Sequence, residues 1–191
     1  MLRDIKVILR YCPLNLEAGC NKRDAMKPNT VGRELSGRMP PLRTEICHVG
    51  LVSGTLLLTA DGEIPVEYVS PGDRIITRNA GLVPLVAVET VRLRDEAVKI
   101  AAGSLGDTKP THHVIIPAAQ MVLVRDWRAK ALRGAAQAVM PAGCLIDDEF
   151  ITALGVRDMT LVRLGFDAPY VVYADGLELS VPAMQAAGLP A

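Results

Sequence analysis

Apolar and polar positions change rhythm near residue 54 of this chain. Downstream they fall into short runs broken by Gly, Pro, Asn and Asp. "TLLLT" at 55–59 reads as a strand, and "ADGE" as a hairpin corner where Asp61-Gly62 can supply the positive φ of a tight turn. "IPVEYV" predicts a second strand, with Pro65 near its start marking an edge or a kink. "SPGD" fits a turn with Pro71 second and Gly72 third, and Asp73 caps it through its side chain. "RIITR" is the next strand and "NAG" the next turn. "LVPLVAVETVRLR" predicts one long strand, and "AVKIAAGSLG", "HHVIIPA" and "QMVLVRDW" add more, the last ending at the only tryptophan, Trp127.

Helix is predicted in two places. "WRAKALRGAAQAV" is rich in good helix formers. "PAGCLI" has Pro141 placed to open a short helix, which "DDEFITALG" would extend with Asp147 or Asp148 as cap. The chain then returns to strands with "MTLVRLGF" and with "YVVYADGLEL", which carries an Asp-Gly corner at Asp175-Gly176. Many short strands between such turns predict an all-β fold of the barrel or folded-ribbon kind, with one or two short helices.

Residues 1–46 lack this rhythm. "KPNTVGRELSGRMPPLRTE" sustains no period of two or 3.6, which predicts an irregular leader or linker. Charge separates the same two parts. Residues 1–46 hold nine Lys/Arg against five Asp/Glu, a surplus of four positive charges. Residues 47–191 hold twelve against sixteen, and the whole chain balances at 21 against 21. That balance gives no overall pull toward nucleic acid or an anionic membrane.

The full length of 191 residues, half of them hydrophobic and 4% aromatic, suits one globular core built mostly from Val, Leu, Ile and Ala. No apolar run approaches the roughly 18 residues of a membrane helix. Asp4, Lys6 and Arg10 interrupt the N-terminal apolar stretch, so no secretory signal is recognised and a cytoplasmic protein is expected. Cys12, Cys20, Cys47 and Cys144 form no C-x-x-C pair, which predicts reduced thiols and no metal or other cofactor. The histidines are His48, His112 and His113. The adjacent pair would point to opposite faces of a strand and is poorly disposed to share a metal. Phosphate loops, G-x-S-x-G elbows and H-E-x-x-H are absent.

"GTLLLTADGEIPVEYVSPGDRIITRNAGLVPLVAV" resembles the opening of Hint (hedgehog/intein) domains, in a bacterial branch with G-T, T-x-x-G-x-x-P-V-E and P-G-D-x-[IV]-x-T-x-[DN]-x-G. Gly54, Thr55, Gly62, Pro65, Val66, Glu67, Pro71, Gly72, Asp73, Thr77, Asn79 and Gly81 match in order. "VKIAAGSLG", "QMVLV", "MPAGCLI" and "YVVYADGLELS" are similar to later segments of that branch. The resemblance implies a leader at 1–49, a Hint-like domain at 50–181 and a tail at 182–191. It implies autoproteolysis or splicing as the family activity, in a family whose members are sometimes exported.

That family chemistry begins with an N-to-S acyl shift. A cysteine thiolate attacks the carbonyl of the residue before it, and a histidine protonates the leaving amide nitrogen. The resemblance places the cysteine at position 50, which is Gly50, and the histidine at position 120, which is Gln120. Two further family histidines correspond to Arg163 and Pro169, and His113 falls where the family often has Asp. No catalytic residue is therefore expected, and the domain is read as a structural or binding module with an unknown protein partner. Two other nucleophiles stand nearby. Cys47 would need the first strand to slip by three residues, which reverses its faces, and Ser53 has no identifiable base. The plainer reading is a linker thiol and a turn hydroxyl.

Overall fold

Thr59 and Gly62 show how local chemistry starts the fold. Strand β1 (Leu51–Val52) is followed by β2 (Leu56–Thr59) and β3 (Gly62–Pro65), which pair antiparallel with Thr59 opposite Gly62. Thr59 Oγ1 donates to the Gly62 carbonyl at 2.9 Å and accepts from the Asp61 N–H at 3.2 Å. Gly62 has φ +114°, a conformation costly for any residue with a Cβ. The device recurs where β4 (Arg74–Thr77) turns into β5 (Gly81–Pro84). There Thr77 Oγ1 donates to the Gly81 carbonyl at 2.8 Å and accepts from the Ala80 N–H at 3.3 Å. Between the hairpins the expected "SPGD" turn forms. Asp73 N–H donates to Ser70 O at 3.1 Å, and Asp73 Oδ2 accepts from Ser70 N–H at 2.8 Å.

The computed structural model describes residues 49–106 and 109–184. The predicted leader, with Cys12, Cys20, Cys47 and His48, lies outside them, as does most of the tail.

Three predicted elements change. "IPVEYV" is a strand only to Pro65, after which Val66–Tyr68 form a 3-10 turn. Val66 is buried while Glu67 and Tyr68 are both exposed, so the alternation a strand needs is missing. The long strand over 82–94 is broken at Leu85 and Val86. Leu85 N–H donates to Asp73 O and Val86 N–H to Gly165 O, which carries the chain from one sheet to the other.

The largest change concerns Asp147 and Asp148, which cap no helix. Asp147 Oδ1 accepts the N–H groups of Glu149, Phe150 and Ile151 at 3.1, 2.8 and 2.8 Å, closing a tight turn. The chain then enters β10 (Ile151–Gly165), which pairs with β6 (Ala87–Ile100) from Ile151 opposite Ile100 to Gly165 opposite Ala87. A bulge between Ala153 and Gly155 bends the ribbon. Pairing with a distant strand overrides the local helical tendency of "DDEFITALG".

The remaining elements are β7 (Val114–Pro117), β8 (Met121–Val124), α1 (Trp127–Arg133), β9 (Ala138–Pro141), a 3-10 turn at Ala142–Leu145, β11 (Tyr170–Ala174) and β12 (Leu177–Val181). One sheet has the order β1-β10-β6-β7. The other runs β3-β2-β4-β11-β12-β8-β9, with β5 on β4 and a further β2–β11 pairing. Every pairing is antiparallel. This is the expected all-β architecture. Helix α1 starts at Asp126, whose side chain accepts from Arg128 N–H, and stops at left-handed Gly134. It is shorter than predicted because "GAAQAV" is spent on a turn and β9.

Leu57, Ile75, Ile100, Ile116, Val122, Met140, Ile151, Val172 and Leu179 form the main core. Each such burial contributes about 1.5–3 kcal/mol. Phe166 is the core's buried aromatic and meets Tyr170 edge-to-face at 5.5 Å. Among the described residues no helix is long and apolar enough to cross a membrane.

Candidate functional site

The start of the domain is held by the residue just before β8. Gln120 ends a turn in which its N–H donates to Pro117 O at 3.0 Å and its carbonyl accepts from Ala142 N–H at 2.9 Å. Its side chain is 1% exposed. Nε2 donates to Ser180 O at 3.2 Å and Met121 O at 3.3 Å, and Oε1 accepts from Gly50 N–H at 3.1 Å. Reversing the amide would put its oxygen against two carbonyls and its NH2 against an N–H, so these partners fix one orientation. Gly50 and Gln120, seventy positions apart, are thus in direct contact.

Arg163 completes the neighbourhood. β1 pairs with β10 through Leu51 opposite Val162, which sets Gly50 beside Arg163. A Cβ at Gly50 would lie 3.2 Å from Leu161 Cβ, 3.3 Å from Val162 O and 3.4 Å from Arg163 Cγ. Arg163 Nη1 reaches Glu89 Oε2 at 3.4 Å across the ribbon. Position 50 therefore has an amide hydrogen, a buried acceptor and a cation close by, and no side-chain atom.

This geometry decides what the residues can do chemically. An acyl shift needs a nucleophile at position 50 and a proton donor to its amide nitrogen. Gln120 faces that nitrogen with an acceptor, and an amide side chain does not shuttle protons. Pro169 contributes only a carbonyl contact from Asn79 Nδ2 at 3.3 Å.

Ser53 lies in an exposed turn, where its N–H donates to Thr160 O and Thr55 N–H closes back on Val52 O. A carboxylate the sequence reading did not pair with it stands alongside. Glu67 Oε2 accepts from Gly54 N–H at 2.8 Å. That bond, followed by its own backbone and the Ser53 hydroxyl, holds the Glu67 carboxyl below its ordinary value despite some desolvation. A carboxylate so stabilised is a weak base. Cys47, the other nucleophile considered, lies outside the described residues. His113 is exposed, and its Nδ1 accepts from Ala102 N–H at 3.4 Å. Among the described residues no cluster of three or more His, Cys, Asp or Glu could hold a metal.

Two polar clusters away from this site were not predicted. Arg78 from β4 and Arg125 after β8 both donate to Oε1 of buried Glu178 on β12, each at 2.9 Å. Arg128 is also buried. It donates to Ser104 O, Asp126 Oδ2 and Asp147 Oδ2 at 2.8, 2.7 and 3.0 Å. Partners so far apart in the chain leave no local pattern to read.

Comparison with known proteins gives one family. The family model described as "Hint domain" matches residues 49–180. Among solved structures, the chain is similar to the gp41-1 intein at 15% identity and a TM-score of 0.45, over 68% of this chain and 96% of that one. It is similar to a bacterial intein-like domain from Clostridium thermocellum at 17% identity and a TM-score of 0.46, over 70% of this chain and 97% of that one. The MchDnaB-1 intein follows at 12% identity and a TM-score of 0.44, over 69% and 98%. No curated protein sequence matches significantly.

Proposed function

The chain belongs to the Hint-domain family, whose activity is autoproteolysis or splicing, and from that premise we propose that this member is a silent scaffold serving as a structural or binding module. The observation that carries the reading is the contact between Gly50 N–H and Gln120 Oε1 at 3.1 Å. The position of the nucleophile has no side chain, and the position of the general acid presents an acceptor to the nitrogen that would leave. The Gln120 amide works instead as a clasp, tying the start of β1 to the carbonyl of Ser180 near the end of the domain. A second reading, slow self-cleavage through Ser53, draws on the Glu67 carboxylate beside it; the same reading through Cys47 has no described partner.

The test restores the two positions singly and together. Gly50→Cys alone and Gln120→His alone should leave the chain intact. The double variant should release fragments when thiol is added, with a new end at residue 50. Cleavage by Gly50→Cys alone would show that Gln120 is no block, and an inert double variant would show that these two positions do not carry the loss.

A further inference from the structure

The corner between β11 and β12 carries a titratable cluster unconnected with Gly50. Asp175 and Gly176 both adopt positive φ, +49° and +76°. The Asp175 side chain is 8% exposed, and its Oδ1 accepts from Leu56 N–H of β2 at 2.9 Å. The same oxygen lies 3.5 Å from His112 Nε2, and Thr111 Oγ1 is 3.2 Å from His112 Nδ1. The backbone comes close as well, since a Cβ on Gly176 would be 3.7 Å from Pro110 Cα and 3.9 Å from Thr111 N.

We propose that His112 and Asp175 form a pH-graded latch that holds the loop at 109–113 against the β11–β12 corner. An imidazole takes its charge below about pH 6.5. Asp175 is pushed above its ordinary value, first by burial and also by the negative charge of Glu63 on β3, while Leu56 N–H and His112 pull it back. The ion pair therefore exists in a mildly acidic window, above the titration of Asp175 and below that of the imidazole. Raising the pH neutralises His112 and weakens the latch. His113 acts in the opposite sense, because protonating Nδ1 removes the acceptor for Ala102 N–H.

Amide hydrogen exchange on the full chain, corrected for intrinsic rates, tests this at pH 5.5 and 8. Protection at 109–113 should be about two- to fivefold higher at pH 5.5, the size expected of an ion pair with one exposed partner. His112→Ala should abolish the difference, and so should Asp175→Asn, which removes the charge but keeps an acceptor for Leu56 N–H and suits the left-handed backbone. His113→Ala should retain it. Equal protection of the unmodified chain at both pH values, or a difference that survives His112→Ala, would overturn the latch.

Discussion

Gly62 and Gly50 are both glycines of the same domain, and they are there for different physical reasons. Gly62 closes a hairpin at φ +114°, with open space around the place a Cβ would occupy. The backbone itself demands glycine. Gly50 is not among the positive-φ glycines, and a side chain there meets only close neighbours, Leu161 Cβ first at 3.2 Å. The fold tolerates a larger residue if Leu161 gives by a few tenths of an ångström. The hairpins keep the residues that folding requires, whereas position 50 lacks a residue that only chemistry would require.

The contrast can be broken most forcefully at Gln120. If its amide is a clasp, Gln120→Ala strands the Gly50 N–H and the carbonyls of Ser180 and Met121, and should cost about 2–4 kcal/mol in urea unfolding. A cost under about 1 kcal/mol would mean that the clasp holds nothing. The two kinds of glycine come next. Gly72→Ala, at φ +100° in open space, should cost about 2 kcal/mol from backbone strain alone. Gly50→Ala should cost only about 1 kcal/mol, from crowding. Reversed costs would erase the distinction. Thr77→Val, which removes the hydroxyl from the second hairpin, should cost about 1 kcal/mol by the same assay.

How much of this was readable from the chain follows the same division. Hairpins built from "TADG", "SPGD", "TRNAG" and "ADG" were legible because each is closed by residues within a few positions of one another. β10 was misread as helix at its start because its stability comes from β6, which no local pattern reveals. Gly50 and Gln120 could be placed through a family resemblance, yet the polarity of their contact depends on Ser180 and Met121 and needed coordinates. The Arg78–Glu178–Arg125 cluster and the Ser53–Glu67 contact join segments that carry no mutual signal in sequence.

The gentlest probe is pH. Burial works against the charge of Asp147, but the N–H groups of Ile151, Glu149 and Phe150 and the Arg128 side chain outweigh it, lowering the carboxyl from 3.8 to about 2. Because the folded value lies below the unfolded one, the stability Asp147 contributes is present above pH 3.8 and is lost as pH falls toward about 2. Asp147→Asn should remove that part of the acid sensitivity, seen as a flatter melting-temperature profile across this window. An unchanged profile would deny Asp147 its place in the turn before β10.

The central claim is that the unmodified chain does not cut itself, and the intact mass of the purified protein tests it most directly. After a day with and without thiol and hydroxylamine, a single full-length mass is predicted under every condition. Fragments with a new end at Cys47, Gly50 or Ser53 would contradict the account, and their terminus would name the nucleophile.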